Sequence, residues 1–237
     1  MTESALASKQ RAAECAMSFV ESGMVVGLGT GSTAVWAVKQ LAELLQEGRL
    51  TQILGVATSV ATAKEALRLG ISLTTLDEHP ILDLTFDGAD EVDPGLNAIK
   101  GGGGALLREK IVAQASRREI ILVDESKLSA KLGSKWCVPV EVVPFGWKSQ
   151  ALYVENLGAA VSLRNNRDRR PFLTDQQNYI LDCRFGPIEN ADELAIRLKE
   201  RTGIVEHGLF LNMITDLILV GEDSLCRWLT AKGETWM

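Results

Sequence analysis

The stretch "MVVGLGTGSTAVWAVKQLAELLQEG", residues 24–48, decides the fold. Its opening "MVVGLG" is a short, uncharged apolar run bounded by glycine, the pattern of a strand buried on both faces. "STAVWAVKQLAELLQEG" then carries apolar residues at helical spacing, with Ser32 or Thr33 placed to cap the helix. A buried strand that turns through glycines directly into a helix is the unit from which parallel α/β sheets are built.

The flanking sequence extends the pattern. "ALASKQRAAECAMSFVESG" precedes it as an amphipathic helix closed by Gly23, and "ILGVAT", "VATAKEALRLG", "ISLTTL" and "LDLTFDGAD" follow as strand, helix, strand and strand. "ALLREKIVAQAS" reads as a helix and "REIILVDES" as a buried strand. The expected fold class is therefore α/β, a Rossmann-like open and mostly parallel sheet covered by helices. From about Ser134 the order changes: "CVPVEVVP", "WKSQALYVENLG", "AAVSLRN", "NYILDCRF", "NADELAIRLKERTG" and "IVEH" read β-α-β-β-α-β. That is the order of a ferredoxin-like α+β unit. "LFLNMITDLILVG" then returns as a buried strand. Residues 1–132 plus 207–237 are expected to form the Rossmann-like catalytic domain, and residues 133–206 the inserted smaller domain.

Composition narrows the function classes. The 237 residues carry a net charge of −6, with an isoelectric point near 5.1, so an extended basic surface for nucleic acid is not expected. No run approaches the roughly 18 apolar residues of a membrane helix, and Glu3, Lys9, Arg11 and Glu14 interrupt any signal-peptide core. Cys15, Cys137, Cys183 and Cys226 form no CxxC pair and read as reduced, buried thiols of a cytoplasmic protein.

Ligands of open α/β sheets bind beyond the carboxyl ends of the strands, and three unusual loops are expected there. In "GLGTGSTA", residues 27–34, the glycines let the backbone approach an anion, and the amides at a helix N-terminus attract it. Gly29, Gly31 and Ala34 also match the dinucleotide pattern GxGxxA, but "ILGVATSVAT" lacks the acidic residue that would hold a ribose, so a nicotinamide cofactor is not expected. In "DGADEVDP", residues 87–94, Asp87 and Asp90 flank Gly88 and Ala89. Seven acidic residues and no Lys or Arg lie between Asp77 and Asp93, which favours raised carboxyl pKa values and proton transfer. A solvated acidic turn and a magnesium site are the competing readings of this cluster. In "KGGGGALLREK", residues 100–110, four glycines exceed what a turn requires, Lys100 supplies a positive charge, and Glu109 follows about one turn into a helix. Taken alone, Glu109 reads equally as a member of a surface ion pair. Together, a phosphate cradle, two carboxylates, a lysine, a glycine clamp and a further carboxylate are the parts that proton transfer beside the carbonyl of a sugar phosphate requires.

These three motifs, in this order, resemble the A-type ribose-5-phosphate isomerases, with "LVDESKLSAKLG", "VPVEVVP", "TDQQNYILD" and the late "GLF" adding to the likeness. The resemblance implies interconversion of D-ribose 5-phosphate and D-ribulose 5-phosphate through an enediolate, with no metal or other cofactor. The pathway implied is the non-oxidative pentose phosphate branch, or carbon fixation. By position it makes Glu109 the general base, Lys100 with the amides of Gly101, Gly102 and Gly103 the support of the enediolate oxygen, and Asp87 and Asp90 the carboxylates of ring opening and hydroxyl proton exchange. Thr30, Gly31, Ser32, Thr33, Gly88, Ala89 and Lys127 become substrate contacts, with Lys9 a further candidate at the phosphate. A homodimer or homotetramer without nucleic-acid or membrane partners is implied.

The chain departs from the family at Gly104, where alanine is common, and at Leu107, where threonine is common. "RNNRDRRPF", residues 164–172, is unusually rich in arginine and reads as a solvated hairpin tip, or else as a subunit contact. His79 and His207 match no catalytic position. From another class, a sugar-phosphate sensor without catalysis would share the fold, but the single helix before the first strand leaves no helix-turn-helix.

Overall fold

The computed structural model describes residues 3–221 and 225–237. In chain order its elements are α1 (Glu3–Met17), β1 (Val25–Leu28), α2 (Ala34–Gln46), β2 (Leu54–Ala57), α3 (Val60–Arg68) and β3 (Leu84–Gly88). The two-residue strands β4 (Glu91–Val92) and β5 (Ala98–Ile99) come next, then α4 (Leu106–Ala115), β6 (Glu119–Asp124) and a 3-10 turn over Glu125–Lys127. β7 (Val138–Val142), α5 (Trp147–Asn156), β8 (Ala160–Leu163), β9 (Tyr179–Arg184), α6 (Ala191–Glu200) and β10 (Ile204–His207) follow. β11 (Leu209–Phe210), β12 (Asp216–Val220), β13 (Cys226–Thr230) and β14 (Gly233–Trp236) complete the chain. Two compact units result: residues 1–89, 108–127 and 213–237 form the first, and residues 90–107 and 128–212 the second. Residues 1–2 and 222–224 fall in the stretches assigned by sequence to the catalytic domain and lie outside the described residues. No helix among the described residues is long and apolar enough to cross a membrane.

The first unit is built on a seven-stranded sheet in the order β14-β13-β12-β6-β3-β1-β2. The five strands from β2 to β12 run parallel, and β13 and β14 add an antiparallel edge. This is the expected mostly parallel α/β sheet. Val26, Leu28 and Phe86 are fully buried with Ala12, Ala16, Ala37 and Leu41, and small residues let the helices approach the strands. Gly27 shows how close that approach is, because a Cβ there would lie 2.8 Å from Val112 of α4. The chain moves from β1 outward to β2 and then returns to the other side of β1 as β3. The strand order therefore reverses between β1 and β3, the kind of place where ligands bind such sheets.

The second unit contains a four-stranded antiparallel sheet, β10-β7-β9-β8, with α5 and α6 as its two crossovers. The β-α-β-β-α-β order read from sequence is present, and Val138, Val140, Val142, Val154, Leu181 and Leu198 form its core. A small antiparallel sheet, β11-β5-β4, belongs to the same unit.

Four expectations require correction. "ISLTTL" forms no strand; it touches β2 at one bridge, Gly55 to Leu73. The reason is a turn at once afterwards, in which the amide of His79 donates to the carbonyl of Thr75 and that of Glu78 to the Thr75 hydroxyl. "LFLNMITDLILVG" is not one strand but two, β11 and β12, separated by Asn212 at φ +56°. Thr33 occupies the cap position of α2 but makes no side-chain capping hydrogen bond. The cysteines are not all thiols, since Cys15 of α1 and Cys226 of β13 form a disulfide. Cys137 and Cys183 are free.

Candidate active site

In the first unit the loop after β1 is fastened by Asp87 at the end of β3. The amides of Thr30 and Gly88 both donate to Asp87 Oδ1, at 3.0 and 2.7 Å. Gly29 must be glycine, because a Cβ would lie 2.4 Å from that oxygen. The Thr30 hydroxyl sits among three others, 2.7 Å from Thr58, 2.8 Å from Ser59 and 3.1 Å from Thr62. Thr62 in turn donates to the Gly29 carbonyl at 3.0 Å. Gly31, at φ +114°, then opens the turn toward solvent, and Gly31 and Ser32 are exposed beside the N-terminus of α2. Lys9 of α1 donates to Ser32 Oγ at 2.7 Å, which brings a cation to this loop. Amides at a helix start with a lysine beside them make an anion site.

Glu109 is buried in the first turn of α4, and Lys127 is half-buried in the turn after β6. Glu109 therefore does not belong to an exposed charged triplet, and its partner in that sequence, Lys110, is buried too. Both Glu109 and Lys127 belong to the unit that carries Asp87 and the β1 loop.

In the second unit the glycine loop folds over Asp90. The amide of Gly102 donates to Asp90 Oδ2 at 2.7 Å, and a Cβ on Gly102 would meet both carboxylate oxygens at 2.7 and 2.9 Å. Gly101 at φ +100° and Gly104 at φ +84° close a turn in which the Gly104 amide donates to the Gly101 carbonyl at 2.9 Å. Lys100 is buried, with its amide on the Gly208 carbonyl at 2.9 Å and Nζ 5.3 Å from the centre of the Phe210 ring. Gly208 is required there, since a Cβ would lie 2.3 Å from the Lys100 carbonyl oxygen.

Two groups of residues escaped the sequence reading. The hydroxyls of Thr58, Ser59 and Thr62 support Thr30, and their signal was a run of hydroxyl residues immediately after the buried strand β2. Arg164 is the second. Its side chain is only 15% exposed, whereas Arg167, Arg169 and Arg170 are exposed as a hairpin tip would be. Arg164 donates to the carbonyls of Gly101 and Gly102 at 2.9 and 3.1 Å. Among the described residues no group of three or more His, Cys, Asp or Glu side chains is disposed to hold a metal ion.

The family model described as ribose 5-phosphate isomerase A (phosphoriboisomerase A) matches residues 54–224. The chain belongs to this family. A ribose-5-phosphate isomerase A from Chloroflexus aurantiacus is 54% identical over 224 residues, 94% of each chain. One from Desulfatibacillum aliphaticivorans is 52% identical, over 92% of this chain and 95% of the relative. Among solved structures, the ribose 5-phosphate isomerase of Plasmodium falciparum superposes with a TM-score of 0.92 at 39% identity, covering 96% of this chain and 99% of its own. Membership of the ribose-5-phosphate isomerase A family accounts for both the parallel sheet of the first unit and the antiparallel sheet of the second.

Proposed function

We propose that the protein interconverts D-ribose 5-phosphate and D-ribulose 5-phosphate, with Glu109 as the general base. The observation that carries this reading is family membership along nearly the whole chain with Asp87, Asp90, Lys100 and Glu109 all present. The phosphate rests against the exposed turn of Thr30, Gly31, Ser32 and Thr33, with Lys9 and Lys127 contributing charge. Asp87 and Asp90, with Gly88 and Ala89 between them, open the sugar ring and exchange hydroxyl protons. Glu109 removes the proton from C2 of the open aldose and returns it to C1, passing through an enediolate. Charge on the enediolate oxygen is stabilised by Lys100 and by amides of Gly101 and Gly103, while the Gly102 amide holds Asp90 in place. C1 is reduced as C2 is oxidised, so there is no net redox change. The proton that Glu109 takes from C2 exchanges in part with solvent before one is delivered to C1, and the hydroxyl proton lost at O2 is matched by one gained at O1, so the step balances without a cofactor. The enzyme works in the cytoplasm as a homodimer or homotetramer, in the non-oxidative pentose phosphate branch.

The test is turnover of ribose 5-phosphate in deuterated water with an excess of chelator, by the parent and by Glu109→Gln. The parent incorporates deuterium at the exchanging carbon, whereas the variant loses about 10²–10⁴-fold in kcat with KM little changed. Near-parental turnover in the variant would remove Glu109 as the base. Activity abolished by the chelator would favour a magnesium-dependent isomerase, and binding without conversion would favour a sensor.

A further inference from the structure

Four successive glycines have a large conformational entropy, yet the proposed chemistry needs their amides at fixed positions. The second unit contains the group that resolves this conflict. Arg164, just beyond β8, directs one guanidinium nitrogen, Nη1, at the carbonyls of both Gly101 and Gly102. Its other edge is held by Asp182 of β9, with Nε donating to Oδ2 at 3.0 Å and Nη2 donating to Oδ1. A planar guanidinium bound on two edges keeps little rotational freedom.

The consequence follows from peptide geometry. In a planar trans peptide the carbonyl and the next amide point in opposite directions. Fixing the Gly101 carbonyl on Arg164 therefore turns the Gly102 amide away from Arg164, and that amide is the one bonded to Asp90. Fixing the Gly102 carbonyl in the same way sets the direction of the Gly103 amide. At the far end of the loop Phe172 rests against Gly104, where a Cβ would lie 2.5 Å from the ring. The segment 164–172 thus meets the glycine loop at both ends.

We infer that Arg164, oriented by Asp182, is a positioning residue that keeps the Gly102 amide on Asp90 and aims the Gly103 amide for the isomerisation. The inference rests on the proposed roles of Asp90 in proton exchange and of the loop amides at the enediolate oxygen. Its test combines kinetics with amide hydrogen exchange in the full-length protein, using Arg164→Ala, Arg164→Lys, Asp182→Asn and, as a control at the exposed tip, Arg167→Ala. Arg164→Ala is expected to lower kcat about 10²-fold, the effect of a misplaced reacting geometry. KM should stay within about 3-fold, because the phosphate is held elsewhere. Arg164→Lys should lose nearly as much, since an ammonium cannot span two carbonyls and a carboxylate. Added guanidinium ion should restore part of the kcat of Arg164→Ala and none of that of Glu109→Gln. Amides of residues 101–104 should exchange faster in Arg164→Ala and Asp182→Asn, with Arg167→Ala matching the parent.

Unchanged kcat, a loss confined to KM, or a loss that tracks the unfolded fraction in all three Arg164 and Asp182 variants without guanidinium rescue would overturn the inference. An inactive parent would instead overturn the functional reading. The exchange rates of the loop would still decide whether Arg164 orders it.

Discussion

Asp90 and Gly102 show how narrow the tolerances of this site are at the scale of single residues. The Asp90 carboxylate occupies the space that a side chain on residue 102 would need, with both oxygens within 3 Å of the position of a Cβ. The same carboxylate accepts the Gly102 amide at 2.7 Å. Gly102→Ala therefore has to push the carboxylate aside or twist the loop, and either movement disturbs a group assigned to proton exchange and the amide that holds it. The expected result is a fall in kcat on the order of 10–10²-fold, with a stability loss of about 1–2 kcal/mol. Steady-state kinetics beside a urea denaturation curve measures both. A variant with parental kcat would mean that Asp90 and the Gly102 amide take no part in the chemistry.

At the scale of elements, Asp216 joins three strands. It begins β12, is paired in register with Ile120 of β6 and Thr230 of β13, and accepts bonds from Arg118, Thr215 and Trp228. Burial is the largest single influence on its carboxyl and raises the pKa, but the three hydrogen bonds and the Arg118 charge together hold it below the usual value. A lowered folded pKa means that the unfolded chain binds the proton more readily, so this stabilisation is present above about pH 4 and is lost as pH falls through the folded value. Asp216→Asn should therefore cost about 1.5–3 kcal/mol at pH 7. Urea denaturation at pH 7 and pH 3 should show the gap between variant and parent narrowing in acid; a gap independent of pH would contradict this account. The apolar run Leu217–Val220 of β12 was legible in the sequence, though not its separation from β11, and β1, α2 and the β-α-β-β-α-β order were legible for similar periodic reasons. β4 and β5 are two residues long and leave no periodicity to read; β13 is half-buried beyond Cys226 and β14 is exposed, so neither alternates, and their hairpin carries no turn signal stronger than Lys232 and Gly233. In the candidate site, Lys100, Glu109, Asp87 and Asp90 stand in dense local motifs. Arg164 is one of four arginines in a seven-residue stretch, and its carboxylate partner lies on the neighbouring strand. Only the pairing of β8 with β9 distinguishes it from its neighbours.

At the scale of the whole chain, the Cys15–Cys226 disulfide links the first helix to the antiparallel edge of the central sheet across a separation of 211 residues. Such spacing has no local signature, so the cysteine pattern read as four thiols. The bond matters for the site because α1 also carries Lys9, which reaches Ser32 in the proposed phosphate loop. Closing so long a loop limits the unfolded chain, an effect of about 5 kcal/mol or slightly more in the chain-entropy view. Reduction, or Cys226→Ser, is expected to lower Tm by on the order of 10 °C. Thiol titration of the denatured, unreduced protein should detect only Cys137 and Cys183, and reduction should reveal the other two. The Cys137 thiol, raised to about 11 chiefly by burial and also by the neighbouring Asp182 charge, should alkylate slowly in the folded protein at neutral pH, because the thiolate is the reactive form. Four titratable thiols before reduction would instead return the chain to the fully reduced state usual in a cytoplasm. In that case the contact between α1 and β13 would be one of packing alone, and reducing agent would leave Tm unchanged.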